Sequence, residues 1–323
     1  MRTLVTGATG FIGMEVARQL AAAGQRPRVL VRRLTRAPLL ASLDVEPVYG
    51  DLASPQSLAR AVDGIDAIVH LGGRATFEPY DRLAPTLVDG TRRLATAAAA
   101  AGVSRIVFGS SAFVYDGSGA TVQDATPPRP VLDYGRAKLD AEGVLEDVAA
   151  GGGPAAASIR LPHVYGPQSL LFGMVRKGLV PFPGDGSNRF AQLHVTDAAA
   201  LLIAIARSSW TGALPVADHH AVTWSEFFEV LAAYAPRTRV LRVPARPATV
   251  AARVGGSLLG RLGPTMVSAD TIRGWGLEVV VGSHTRWDRL GLEPRYPSVL
   301  AGIPAVLDDV VAFRWRHPVF DWS

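Results

Sequence analysis

A chain of 323 residues, 48% hydrophobic and 19% charged, is long enough for one large α/β domain or two unequal ones. It contains no cysteine, which excludes disulfides, thiolate metal sites and a cysteine nucleophile and is compatible with a reducing cytoplasm, the expected location. The net charge of +5 comes from scattered arginines with no basic block, so no nucleic-acid or membrane partner is expected; no metal site is expected either.

In chain order, short apolar runs alternate with helical patterns. "RTLVTG" reads as strand one, entered directly from Met1 with no secretory pattern, and "FIGMEVARQLAAAG" as a helix ending at Gly24. "RPRVLVR" and "EPVYGD" read as strands two and three. "SPQSLARAVDG" is a helix with Ser54 as N-cap and Pro55 in its first turn. "DAIVHLGG" is strand four, "TLVDGTRRLATAAAAAG" one long helix, "RIVFGSS" strand five, "LDYGRAKLDAEGVLEDVAA" a helix and "AAASIRLP" strand six. Such alternation predicts a doubly wound parallel sheet.

After Pro167 the rhythm breaks. "GLVPFPGDGSNRF" reads as loop, "HVTDAAALLIAIARS" as helix and "GALPVAD" as one more strand. From Thr223 onward the pattern is of Pro- and Gly-punctuated helices with little strand character. The expected organisation is an α/β protein. Its dinucleotide-binding domain takes residues 1–166 plus about 191–218. A smaller, mainly helical substrate lobe takes 167–190 plus 219–323.

Gly7, Gly10 and Gly13 join strand one to the first helix. A helix start presents free N–H groups and the positive end of its dipole, and glycine lets backbone approach a pyrophosphate closely. Strand two ends in Arg32 and Arg33, where an acidic residue would hold a ribose 2′-hydroxyl. A guanidinium fork matches a 2′-phosphate, so NADP(H) is favoured, with NAD(H) the alternative.

"YGRAK" sets Tyr134 and Lys138 four residues apart, on one helix face. An ammonium beside a phenol favours phenolate, which suits acid–base work. Only Lys138 and Lys177 are lysine in this chain, which makes a chance match harder to accept.

The turn "TGATGFIG" resembles the cofactor turn of the extended short-chain dehydrogenase/reductases, the NAD-dependent epimerase/dehydratase group with its dihydroflavonol-reductase-like and 3β-hydroxysteroid-dehydrogenase-like members. "GDL" at 50–52, "HLGG" at 70–73, "VFGSSAFVY" at 107–115, "RLPHVYGP" at 160–167, "PGDGSNRFAQLHVTDAA" and "WDRLGLEPRYPSVLAGI" resemble further segments of that group, in order. The resemblance implies a Rossmann sheet, a small-molecule substrate and a frequent homodimer. It implies cofactor contacts from Gly7, Thr9, Gly10, Phe11, Ile12, Gly13, Arg32, Arg33, Asp51, Leu52, Leu71, Gly72, Gly73, Pro162 and Val164, with Tyr134 and Lys138. It implies catalysis by Ser111, Tyr134 and Lys138, and substrate contacts from Ser111, His163 and Gln192. His70 reads as a packed strand-end residue and Tyr115 as packing.

The sequence departs from the nucleotide-sugar enzymes of this group at two points. His163 stands where they have asparagine, and Phe190 where they have arginine, with Arg189 one place off. A third departure, Leu87-Val88-Asp89-Gly90-Thr91 for Asn-x-x-Gly-Thr, falls on a structural position. The leading expectation is therefore an NADPH-dependent carbonyl reductase or the reverse alcohol dehydrogenase. The alternatives are a nucleotide-sugar epimerase or dehydratase with retained NAD(P), and a non-catalytic NADP(H)-binding redox sensor. Trp224, Trp275 and Trp287 give the C-terminal lobe an apolar cast.

Overall fold

A computed structural model describes residues 1–245, 268–282 and 284–316; the parts of the expected substrate lobe at 246–267, 283 and 317–323 lie outside the described residues. Seven strands form the main sheet: β1 (Thr3–Thr6), β2 (Arg28–Val31), β3 (Glu46–Tyr49), β4 (Ala67–His70), β5 (Arg105–Ser111), β6 (Ala155–Leu161) and β7 (Gly212–Pro215). Every neighbouring pair is parallel, in the spatial order 3-2-1-4-5-6-7. The order reverses between β1 and β4, which opens a crevice at the carboxyl ends of those strands.

Continuous apolar strands are what a sheet covered on both faces requires. Alternate residues of β1 point to opposite sides. Val5 joins Val16, Leu20, Val69 and Leu202 under α1 (Phe11–Ala22) and α7 (Val195–Arg207). Leu4 joins Leu58, Ile68, Leu94 and Leu145 under α2 (Pro55–Val62), α4 (Asp89–Ala100) and α5 (Asp133–Ala150). The Ser54 side chain caps α2 by accepting from the Ser57 N–H at 3.3 Å, and Pro55 is its first residue, as the sequence predicts.

Three expectations need correction. The single helix expected across 86–102 is two, α3 (Tyr80–Leu87) and α4, broken at Val88. Pro85 inside α3 masks it, since an interior proline argues against a helix. The expected loop at 178–190 carries the strands Leu179–Pro183 and Arg189–Phe190. The region after Thr223, expected to hold little strand, contributes Arg239–Val243 and Glu278–Val281. Leu179–Pro183 pairs with Arg239–Val243, and Arg189–Phe190 lies in a four-stranded sheet with Val222–Thr223, Glu278–Val281 and Ser118–Val122. These strands are short, and their partners lie far along the chain, so no local period announces them.

Over the sheet's carboxyl edge sit α6 (Leu170–Arg176), α8 (Trp224–Tyr234) and the helix Ala269–Trp275. Their core gathers Phe172, Phe182, Phe190, Trp224, Phe227 and Phe228. The Trp287 indole donates to the Ala217 carbonyl at 2.9 Å and is part of the main core.

Candidate active site

The glycine turn follows directly from β1. Gly7 takes φ 72°, and its N–H neighbour Gly10 closes the turn by donating to the Gly7 carbonyl at 2.8 Å. A Cβ on Gly7 would lie 2.5 Å from the Leu71 carbonyl oxygen, and one on Gly13 would overlap the Gly7 carbonyl. Gly10 caps α1 without a side-chain bond, so the helix start keeps its N–H groups for an anion. This tight, Cβ-free cradle fits a dinucleotide pyrophosphate.

Beside it, a chain of hydroxyls and imidazole holds the turn after β4. Thr6 Oγ1 accepts from the Leu71 and Gly72 N–H groups at 3.2 and 2.9 Å and lies 2.6 Å from His70 Nδ1. His70 Nε2 meets Thr91 Oγ1 at 3.0 Å, and Thr91 donates to the Leu87 carbonyl. With Thr6 already accepting twice, its own hydrogen goes to Nδ1, and Nε2–H donates to Thr91. Burial holds His70 neutral, with its pKa lowered to about 3. The Leu87–Thr91 segment is thus tied through His70 to the end of β4.

Arg32 and Arg33 leave the end of β2 exposed to solvent, and Arg32 lies 3.9 Å from Asp51. Asp51 accepts from the Ala53 N–H at 2.8 Å, and Leu52 packs beneath Gly72. These four residues, with Thr9 and Gly72, stand outside the cavity described next.

Ser111 ends β5, and Tyr134 and Lys138 lie on the first two turns of α5. A Cβ on Gly135 would overlap the Phe113 carbonyl oxygen, so α5 seats directly on the turn after Ser111. The Lys138 ammonium donates to the Gly109 carbonyl at 2.6 Å and lies 5.8 Å from the Tyr134 ring centre. Burial pushes the Tyr134 phenol well above its usual range, while the Ser111 hydroxyl, hydrogen-bonded to it, pulls the other way. Burial lowers Lys138 to about 8, and the Glu142 carboxylate opposes that.

Behind the trio lies a polar network absent from the sequence reading. Arg160 grips Glu142 at 2.7 Å and donates to the Tyr115 hydroxyl at 2.9 Å, and Ser110 donates to Glu142. Tyr115 is accordingly structural. A cavity of about 440 Å³ runs from the glycine turn past Ser111, Tyr134 and Lys138. Pro162, His163 and Val164 line it, and its outer wall is Phe77, Phe113, Met174, Phe190, Trp224 and Trp275. Phe113 sits inside a motif already singled out, but nothing local marks Phe77 or Trp275 as wall residues. Arg189 faces away, paired with Glu278 at 2.8 Å. Gln192 is fully buried behind His163 and does not line the cavity. Among the described residues no cluster suited to a metal ion occurs, and no helix is long and apolar enough to cross a membrane.

Residues 3–214 match the NAD dependent epimerase/dehydratase family. A ceramide reductase of Caulobacter vibrioides is 34% identical over 74% of this chain and 73% of its own length. A 2-alkyl-3-oxoalkanoate reductase of Stenotrophomonas maltophilia is 32% identical over 62% of this chain and 63% of its own. Among solved structures, MoeE5 in complex with UDP-glucose and NAD superposes with a TM-score of 0.78 at 24% identity, covering 97% of this chain and 99% of that one. A UDP-glucose 4-epimerase from Thermotoga maritima does so at 0.77 and 20% identity, covering 97% and 99%. At such identity the structural likeness speaks for the fold.

Proposed function

The chain belongs to the NAD-dependent epimerase/dehydratase family and is an NAD(P)-dependent oxidoreductase of the extended short-chain dehydrogenase/reductase type, and from that premise we propose that it is an NADPH-dependent reductase of apolar ketones. The observation that carries this reading is the Ser111–Tyr134–Lys138 group, with Ser111 and Lys138 buried and Tyr134 partly so, opening on a cavity walled by aromatic rings. The glycine turn, Leu71, Gly73, Pro162, Val164 and Lys138 would hold the dinucleotide, with Arg32 and Arg33 on its 2′-phosphate. Bound there, NADPH supplies the hydride.

Ser111 would donate a hydrogen bond to the substrate carbonyl, and Tyr134 would give its phenolic proton to the forming alkoxide. Tyr134 is protonated at neutral pH as an ordinary phenol is; burial raises its pKa, against the phenolate-favouring shift that the Tyr134–Lys138 spacing predicts, and only Ser111 draws it back. Lys138, as the ammonium, stabilises the phenolate left behind. Among the described residues, Phe190 and the ion-paired Arg189 leave the outer wall without the cation that a nucleotide sugar's diphosphate would need. The named relatives, a ceramide reductase and an alkyl-oxoalkanoate reductase, act on chain-bearing molecules by their names, which supports the apolar choice.

The test is stoichiometric NADPH oxidation with a panel of long-chain ketones, comparing wild type with Tyr134→Phe. The variant is expected to lose about a hundred-fold or more in kcat while still binding NADPH. Wild-type reduction rates in Tyr134→Phe would remove the catalytic assignment. Turnover of a nucleotide sugar with no added cofactor, on NAD that copurifies, would favour an epimerase or dehydratase. Titration adds a second arm. Arg32→Ala is expected to weaken NADPH by about ten- to a hundred-fold, the loss of a charge-assisted bond, and to leave NADH nearly unchanged. NADH binding as tight as NADPH in the wild type would overturn the cofactor assignment.

A further inference from the structure

The strands Leu179–Pro183 and Arg239–Val243 form a two-stranded parallel ribbon, with Leu179 opposite Arg239 and Pro181 opposite Leu241. Partners across such a ladder point to the same side, and alternate residues of one strand point to opposite sides. Val180 and Phe182 are buried on the inner side, where Val240 packs with them in the aromatic core. Leu179, Pro181, Arg239 and Leu241 therefore share the outer side, and all four are exposed. Leu179 is 49% exposed and Leu241 53%, so two large aliphatic side chains are held in water on one face.

The same pairing gathers positive charge that reads as scattered along the chain. The Arg239 N–H donates to the Gly178 carbonyl at 2.9 Å, which sets Arg239 beside the turn that follows Lys177. The Arg237 carbonyl oxygen lies 3.8 Å from where a Cβ on Gly178 would stand. Lys177, Arg237 and Arg239 are all exposed, and among the described residues none of the three forms a salt bridge. No Asp or Glu stands between Leu170 and Gly184 or between Val230 and Ala245. Aliphatic side chains beside unpaired cations are complementary to an anionic bilayer, whose headgroups attract the cations and whose acyl boundary accepts the leucines. Nucleic acid would answer the charge but not the leucines, because such interfaces are polar. A second copy of the chain would set cation against cation. The helix α6 connects this face with the site: it packs on Leu179–Pro183, and its Leu171 and Met174 line the cavity.

We propose that the outer face of this ribbon, with Lys177 and Arg237, docks the protein peripherally and reversibly on an anionic phospholipid surface. Leu179 and Leu241 enter the headgroup boundary, and the three cations bind lipid phosphates. The proposal goes beyond the reductase reading and does not depend on which ketone, if any, is reduced.

The test is flotation of the full chain with phosphatidylcholine vesicles containing about 30% phosphatidylglycerol, at low salt and at about 0.5 M salt. Wild type is expected to float with these vesicles. Its apparent affinity should fall about ten-fold or more on phosphatidylcholine alone, and likewise at the higher salt. The double variants Lys177→Glu/Arg239→Glu and Leu179→Ser/Leu241→Ser should each lose about ten-fold or more on the anionic vesicles. Both should keep the wild-type melting temperature and NADPH affinity, because all four side chains are exposed. Should either double variant unfold, Arg237→Glu, outside both strands, repeats the charge arm. Wild type that stays behind when the anionic vesicles float overturns the proposal. Binding that the charge variant loses and the leucine variant keeps also overturns it, since that is the behaviour of a general polyanion site. Self-association without lipid that the leucine variant breaks overturns it too, by placing a second copy on this face. Flotation needs no substrate, so its outcome stands apart from the success or failure of the ketone assays.

Discussion

At the scale of the residue, the site depends on charges and rings taken out of water. Arg160 and Glu142 are both buried and bonded to each other, with Ser110 and Tyr115 taking the remaining bonds. A buried pair of this kind adds little net stability, but removing one partner strands the other. Glu142→Gln is expected to lower the unfolding free energy by about 3 to 5 kcal/mol, read as a reduced midpoint in urea with an unchanged slope. Two histidines, His70 fully buried and His163 partly so, make a second prediction, with a definite sign. His70 and His163 have folded pKa values of about 3 and about 4 against an ordinary 6.5. Below pH 6.5 the unfolded chain takes up protons that the folded chain refuses. Stability should therefore fall as the pH drops from 6.5 toward 4, by up to about 1.4 kcal/mol per pH unit for each histidine. Urea titrations at pH 7 and pH 5 measure this, and His70→Gln should flatten the slope.

At the scale of the element, α5 turns a spacing into a site. It carries Tyr134, Lys138 and Glu142 at intervals of four, and Gly135 lets it rest on the Phe113 carbonyl. Gly135→Ala should lift the first turn and lower kcat by about ten- to a hundred-fold, because small misplacements of reacting groups are expensive. Gly143, on the same helix, has open space where a Cβ would go. Gly143→Ala should leave kcat unchanged and add about 0.5 to 1 kcal/mol, seen as a higher melting temperature. This helix also shows what a sequence makes legible. Tyr134 and Lys138 sit one helical turn apart, Ser111 ends an apolar strand, and the glycine turn joins two strongly patterned elements, so each is visible within a dozen residues. Phe77 and Trp275 share the cavity wall through packing between distant segments, and no local period records that. Leu179–Pro183 reads as loop because two prolines interrupt it; its strand exists only because Arg239–Val243 lies beside it.

At the scale of the whole molecule, the small sheet ties the two regions together. Ser118–Val122, from the first half of the chain, pairs with Glu278–Val281, and the cavity lies between that assembly and the main sheet. A ligand seated there touches both, so it should stabilise them as one unit. NADPH at about a hundred times its dissociation constant should contribute about 2.7 kcal/mol. Calorimetry should then record one transition moving upward; two transitions, with only one responding, would show that the regions melt separately.

Lys138 is buried against the Gly109 carbonyl, while Lys177, at the end of the helix that roofs the cavity, is exposed. With no other lysine in the chain, an amine-reactive reagent at neutral pH has one accessible side chain to find. A fluorophore or surface tether attached there is told apart from one on the competing Met1 terminal amine by peptide mapping, and it leaves the buried Lys138 untouched. The same reagent, applied in rising denaturant, would report the opening of the site as the moment when a second side-chain label appears.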